Sequence, residues 1–233
     1  MRRLLIRPGA IGDVILSLPA LESAKADYTE VWTPRVTLPL IRFADKTRAI
    51  ADTGLDLVGV TEADCPALIT FDEIYSWYGT NRPEFRQAVA HLPFTFFAAQ
   101  SLPETPPRIE VPPATRENFA IIHPYSSSPK KNWPLENFQA VAAQLENVEW
   151  CIPGQIEDLY ELACWISTAS VYVGNDSGIS HLAAAVGTPV VAIFISTDPR
   201  IWAPRGDHVA VLENPTVAEV LDRCSEHGVL KRR

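Results

Sequence analysis

With 233 residues, of which 47% are hydrophobic, the chain can bury an ordinary core, as one large domain or two small ones. A net charge of −8, spread over both halves, leaves no cationic surplus for phosphates and excludes a nucleic-acid partner. Four scattered cysteines form no C-x-x-C pair and five histidines show no metal-ligand spacing, so the sequence predicts reduced thiols in a cytoplasmic protein and no metal site.

No apolar run approaches the roughly 20 residues that span a bilayer. Arg2-Arg3 before Leu4-Leu5-Ile6 has the start of a leader, but Arg7 and Asp13 interrupt the apolar stretch and no cleavage site follows. Leu4 to Ile6 reads instead as a strand buried on both faces. Arg7-Pro8-Gly9-Ala10-Ile11-Gly12-Asp13 is a glycine-bearing loop. The helix after it places Val14, Leu18, Leu21 and Ala24 at core spacing, with Pro19 expected to kink it or shift its boundary. Thr29 to Trp32 completes a strand–loop–helix–strand unit. The pattern then predicts a helix over Leu38 to Ala51 and strands at Leu55 to Val60 and Ala67 to Phe71. A helix over Arg82 to His91 and a short strand or packed loop over Phe94 to Ala98 follow.

Five prolines between Leu102 and Ala114 can neither continue a helix nor donate to a sheet. They mark a linker, and the predicted domains are 1–113 and 114–233. In the second half, Phe119 to His123 is a strand and Pro124 to Asn132 a loop of serines and lysines. Pro134 suits a first helical turn, with Leu135, Phe138, Val141, Ala142 and Leu145 on one face. Val148 to Ile152 is a strand and Gln155 to Ala169 a helix. The β-branched run Val171-Tyr172-Val173 then enters Gly174-Asn175-Asp176-Ser177-Gly178, and Ile179, Leu182, Ala183 and Val186 follow at helical spacing. Gly187 stops that helix, Val190 to Ile195 is a strand, and Val209 to Leu212 with Thr216 to Cys224 give a last strand and helix. The alternation predicts an α/β protein with a parallel sheet in each half. Such sheets bind ligands beyond the carboxyl ends of their strands, so two facing halves would line one cleft with both glycine loops.

Each candidate residue has a structural and a chemical reading. Asp13 at the start of the first helix is either a cap or first-turn carboxylate, or a general base in an exposed loop. Lys130 and Lys131 are either solvated surface lysines or point charges for a diphosphate, with Ser126, Ser127 and Ser128 as hydroxyl donors. Asp176, Ser177 and Gly178 are turn and cap residues or the phosphate site that a helix N-terminus provides. His181 is a satisfied buried histidine or a neighbour of that site.

Three segments together resemble glycosyltransferase family 9, the ADP-heptose:lipopolysaccharide heptosyltransferases. Arg7 to Leu21 is similar to the family's N-terminal G-D-x-x-x-x-x-P-A-L signature, here including Gly9, Gly12 and Asp13. Lys131-Asn132-Trp133-Pro134 is similar to its K-x-W-P segment. Gly174 to Ala185, followed by Thr197-Asp198-Pro199, resembles its donor-site signature. Ile195-Ser196 stand where the family turn has Gly-Pro.

The resemblance implies a GT-B fold, two Rossmann-like domains with parallel sheets facing a cleft. It implies an inverting, metal-independent transfer of a heptose-like sugar from a nucleoside diphosphate donor, ADP-linked, to a glycan or lipopolysaccharide-core acceptor. Carried over by position, Asp13 is the base, Lys131 holds the diphosphate, and Asp176 contacts the donor sugar or its phosphate. Ser177 and Gly178 offer phosphate contacts beside His181. No cofactor beyond the nucleotide sugar is implied. A glycolipid acceptor implies peripheral contact with the inner face of a membrane, and Trp77, Tyr78, Phe94, Phe96 and Phe97 are either core aromatics or an acceptor surface. Compared with the family, a strand–helix pair is missing after Gly154. The expected base subsite is therefore shallow, with Glu157 or Asp158 left to reach a ribose. The rival readings are a sugar-nucleotide-binding module without turnover and a nucleotide-sugar epimerase on a similar fold; Asp13 favours transfer.

Overall fold

Leu4, Leu5 and Ile6 are wholly buried in β1 (Arg2–Ile6), the middle strand of the first sheet. The computed structural model describes residues 1–60, 65–99 and 102–231. Contacts divide the chain into two units, Met1–Thr105 and Pro106–Arg233.

In the first unit β1 is followed by α1 (Ile11–Ser23) and β2 (Tyr28–Thr33), then β3 (Lys46–Ala49), β4 (Glu73–Ser76), α2 (Pro83–Ala88) and β5 (Phe94–Phe96). The strands run parallel in the order β3-β2-β1-β4-β5. α1 continues through Pro19 without a break in its assignment. Leu4, Ile6, Trp32, Ile74 and Phe85 belong to one apolar cluster. Tyr78 and Phe94 meet Phe85 edge-on with centroids 5.3 and 5.8 Å away, and Phe94 stacks on Phe96 at 5.2 Å, so these three pack against the core. Trp77 is buried and stacks on Phe97 at 4.7 Å.

Four expectations in this unit are corrected. The stretch Leu38 to Ala51 is not a helix: it holds a short 3-10 turn (Arg35–Leu40), β3 and a second 3-10 turn (Ile50–Asp52). The free edge of β2 overrides the helical spacing. Glu30 on β2 is buried, and β3 brings it Arg48, whose Nε lies 2.8 Å from Oε1. Neither Leu55 to Val60 nor Ala67 to Phe71 is a strand; both segments carry 3-10 turns that drop Leu55, Val58, Leu68 and Phe71 into the core. The place beside β1 goes to β4, four residues that sequence reading passed over. The helix expected to reach His91 ends at Ala88.

The second unit contains β6 (Glu117–His123), α3 (Leu135–Gln144), β7 (Val148–Trp150), α4 (Leu159–Ser167), β8 (Ala169–Asn175), α5 (Gly178–Ala185), β9 (Val190–Phe194), α6 (Pro199–Trp202), β10 (Val209–Glu213) and α7 (Val217–Ser225). Its parallel order is β10-β9-β8-β6-β7. Val171, Tyr172 and Val173 of β8 are wholly buried, as a strand covered on both faces requires. The helix expected from Gln155 begins only at Leu159, because the Asp158 carboxylate caps it by accepting from the N–H groups of Tyr160 and Glu161. Both N–H groups bond to Oδ1 of Asp158, which leaves Oδ2 outside the cap. Pro134 stands at the N-cap of α3 and not inside its first turn. In the proline-rich stretch, Ile109 N–H donates to Ala185 O at 2.9 Å and Arg108 pairs with Asp207.

Each sheet has a point where the strand order reverses. In the first unit it lies between β1 and β4, in the second between β6 and β8. Crevices at such points are where open α/β sheets take ligands. The loop after β1 leads to Asp13 in the first turn of α1, the segment after β6 carries Lys131, and the loop after β8 carries Asp176 and Ser177 into Gly178 at the start of α5.

Candidate active site

In the first unit, Asp13 lies in the first turn of α1, half-buried. Its Oδ2 accepts the Ala10 N–H at 2.8 Å, and no described residue donates to Oδ1. One carboxylate oxygen thus closes the helix start and the other remains open. The cap and base readings of Asp13 are compatible, one to each oxygen. Gly9, at φ +124°, passes close against this side chain. Gly12 is buried within α1.

In the second unit, Lys131 ends a 3-10 turn (Pro129–Lys131) and its Nζ lies 2.8 Å from Oδ2 of Asp176. Thr197 Oγ1 donates to the same oxygen at 2.7 Å. Asp176 is buried and Lys131 partly exposed, so the ion pair has a solvated side open to an incoming anion. Ser177 caps α5, its hydroxyl accepting from Ser180 N–H. The Gly178 and Ile179 N–H groups open the helix and have no acceptor four residues back within it. Such groups, with the helix dipole behind them, favour a phosphate. His181 is buried one turn further on.

The loops are fixed from beneath. Asn175 is wholly buried; its Oδ1 accepts from Trp133 N–H at 2.9 Å and its Nδ2 lies 3.5 Å from Asn132 Oδ1. Ser126 Oγ sits 2.7 Å from that Asn132 oxygen and 2.8 Å from Ser128 O. Ser126 therefore shapes the lysine loop instead of facing a ligand, and Ser127 and Lys130 are exposed. Trp133 is buried and donates Nε1–H to Pro215 O. A methyl on Gly174 would lie 2.6 Å from the Tyr172 hydroxyl, which reaches up from β8 toward Ser180. His123, at the end of β6, is tied through Nδ1 to Cys151 O at 2.8 Å, and burial holds its pKa below the ordinary value. Asp198, in the Thr197-Asp198-Pro199 turn, caps α6 and pairs with Arg200, which lowers its pKa. Sequence reasoning gave no role to Asn132, Asn175 or Thr197, although all three stand inside the quoted segments.

Part of the second unit's geometry falls within a recognised sequence pattern. A profile of Glycosyltransferase family 9 (heptosyltransferase) matches residues 154–229, the span that holds the Asp176 loop and Thr197. Over that span the chain is similar to glycosyltransferase family 9. The chain is 43% identical over 44 residues to lipopolysaccharide heptosyltransferase 3 of Escherichia coli. That match covers 19% of this chain and 13% of the relative's length. Among solved structures, E. coli ADP-heptose lps heptosyltransferase II superimposes with a TM-score of 0.70 at 16% identity, covering 97% of this chain and 98% of the other. E. coli heptosyltransferase WaaC with ADP gives 0.69 at 16% identity, covering 97% and 100%. At that identity these two establish the fold, which is GT-B.

Proposed function

We propose that this chain is an inverting, metal-independent glycosyltransferase that moves a heptose-like sugar from an ADP-linked donor to a lipopolysaccharide-core or related glycan. The observation that carries the reading is the convergence of Lys131, Thr197 and the start of α5 on Asp176. It gathers a cation, a hydroxyl and free N–H groups at the point where the strand order reverses.

In this reading Oδ1 of Asp13 takes the proton of an acceptor hydroxyl. The freed oxygen attacks the anomeric carbon opposite the diphosphate, the bond from carbon to diphosphate oxygen breaks, and the configuration inverts. The Lys131 ammonium and the N–H groups of Gly178 and Ile179 stabilise charge growing on the departing diphosphate. Fixed donors of this kind are worth more than mobile water because they need no reorganisation as charge develops. Asp176 orients Lys131 and presents its remaining oxygen to the sugar. The likeness to a lipopolysaccharide heptosyltransferase supports the acceptor class. An acceptor anchored in lipid supports peripheral contact with a membrane; no helix among the described residues is long and apolar enough to cross one.

The test is release of ADP from ADP-heptose with and without a lipopolysaccharide-core acceptor, in the presence of a chelator. Acceptor-dependent release that survives chelation and disappears in Asp13→Ala is expected. Tight donor binding with no release under any condition would make the chain a binding module.

A further inference from the structure

Arg7 is 2% exposed, a buried cation at the carboxyl end of β1. Burying a guanidinium is costly unless its N–H groups are satisfied. Arg7 spends them on one small region. Nε donates to Ser17 Oγ at 2.6 Å, Nη1 to Pro8 O at 2.8 Å, and Nη2 to Asp13 O at 3.2 Å and Ala99 O at 3.4 Å. Ser17 Oγ donates in turn to Asp13 O at 2.8 Å. No carboxylate oxygen stands among these partners. Burial pulls the Arg7 pKa down, and the charge of Asp13 pulls it back up.

Asp13 is thereby held at two points. Its carbonyl is gripped by Arg7 and Ser17, and one carboxylate oxygen is gripped by Ala10 N–H. The same fork fixes Pro8, which precedes the Gly9 turn. Resting on the reading of Asp13 as the base, we propose that Arg7 is its positioning residue. Its guanidinium locks the loop after β1 onto the first turn of α1, so that Oδ1 of Asp13 keeps one direction. A planar fork suits this task, since it reaches Ser17, Pro8, Asp13 and Ala99 in fixed directions at once; an ammonium on a flexible stem cannot.

The test uses the full chain carrying Arg7→Met or Arg7→Lys, with two readouts. In steady-state transfer, Arg7→Met should lower kcat by about 10²-fold, the scale of a misplaced reacting group, with KM for the nucleotide sugar within about twofold. Arg7→Lys should recover part of the loss. In hydrogen exchange, the Ala10 amide, which reports the bond to Asp13 Oδ2, should exchange at least about tenfold faster in Arg7→Met, while the amides of β1 and β2 stay protected. Wild-type kcat together with wild-type Ala10 exchange would overturn the proposal. So would uniformly faster exchange across the first unit, which would reduce Arg7 to a support of the fold. Asp13→Asn separates the two readings. If it transfers sugar as fast as the wild type, the base assignment fails, and the Ala10 exchange alone decides whether Arg7 orders this loop.

Discussion

A methyl group on Gly9 would lie 2.8 Å from both Cβ and Oδ2 of Asp13. The absence of a side chain at Gly9 is therefore what lets the carboxylate fold back onto Ala10 N–H. Gly9→Ala meets that contact and also a φ of +124° that side-chain-bearing residues rarely adopt. Strain of this kind costs about 1–3 kcal/mol, readable as a lower urea midpoint. Turnover should fall by about 10²-fold with nucleotide affinity unchanged. A stable, fully active Gly9→Ala protein would remove Gly9 from the base's surroundings.

Lys131 should discriminate phosphates from bases. Lys131→Ala is expected to weaken ADP binding by about tenfold or more, as loss of a charge-assisted contact does, and to leave adenosine binding unchanged. Calorimetric titration with both ligands checks it. Equal losses for the two would place the lysine away from the diphosphate.

Asn175 joins the two loops of the second unit. Asn175→Ala leaves the Trp133 N–H buried without an acceptor, a loss of about 1–3 kcal/mol. It also releases the Asn132 end of the lysine loop, so ADP affinity should fall although Asn175 touches no ligand. Urea unfolding and calorimetry on the same protein measure the two effects. An unchanged ADP affinity would show that the lysine loop holds its shape without this bridge.

His123 gives the second unit a pH dependence. Burial lowers its pKa from the ordinary 6.5, and the bond to Cys151 O only partly opposes this. Above 6.5 the imidazole is neutral in both states and costs nothing. Below 6.5 the unfolded chain binds a proton that the folded chain resists, so stability is lost as pH falls toward the folded value. The urea midpoint should decline between pH 7 and 5, and His123→Gln should flatten that decline, while His227, shifted the same way, keeps a residual slope. An identical slope in the variant would show that His123 does not couple to folding.

The parts of the fold legible in the sequence were those with strong local patterns. Leu4 to Ile6 and Val171 to Val173 announce buried parallel strands by their unbroken apolar runs, and the loops after them announce themselves by glycine and short polar residues. β3 was hidden because Lys46-Thr47-Arg48-Ala49 has no strand alternation. It is a strand because β2 has an edge to cover and Glu30 needs Arg48. The site divides similarly. Asp13, Lys131 and Asp176 stood out as charges in loops. Asn175 did not, because its partner Trp133 is 42 residues away and a buried amide resembles any turn residue on paper. A hydroxyl's direction is absent from sequence, so Ser126 is a ligand donor on paper and a brace of the lysine loop in the fold.

The strands at the margins of the two sheets are short: four residues in β3, three each in β5 and β7, and five in β10. An unpaired margin is a template on which another chain can add itself, and brevity limits the number of hydrogen bonds available to an intruder. β3, β5 and β7 offer too few for stable addition. β10 offers the most, and Val211 near its middle is exposed. Self-association during refolding or at high concentration should therefore begin along β10, and a lysine at Val211 is the change that would keep the protein dispersed.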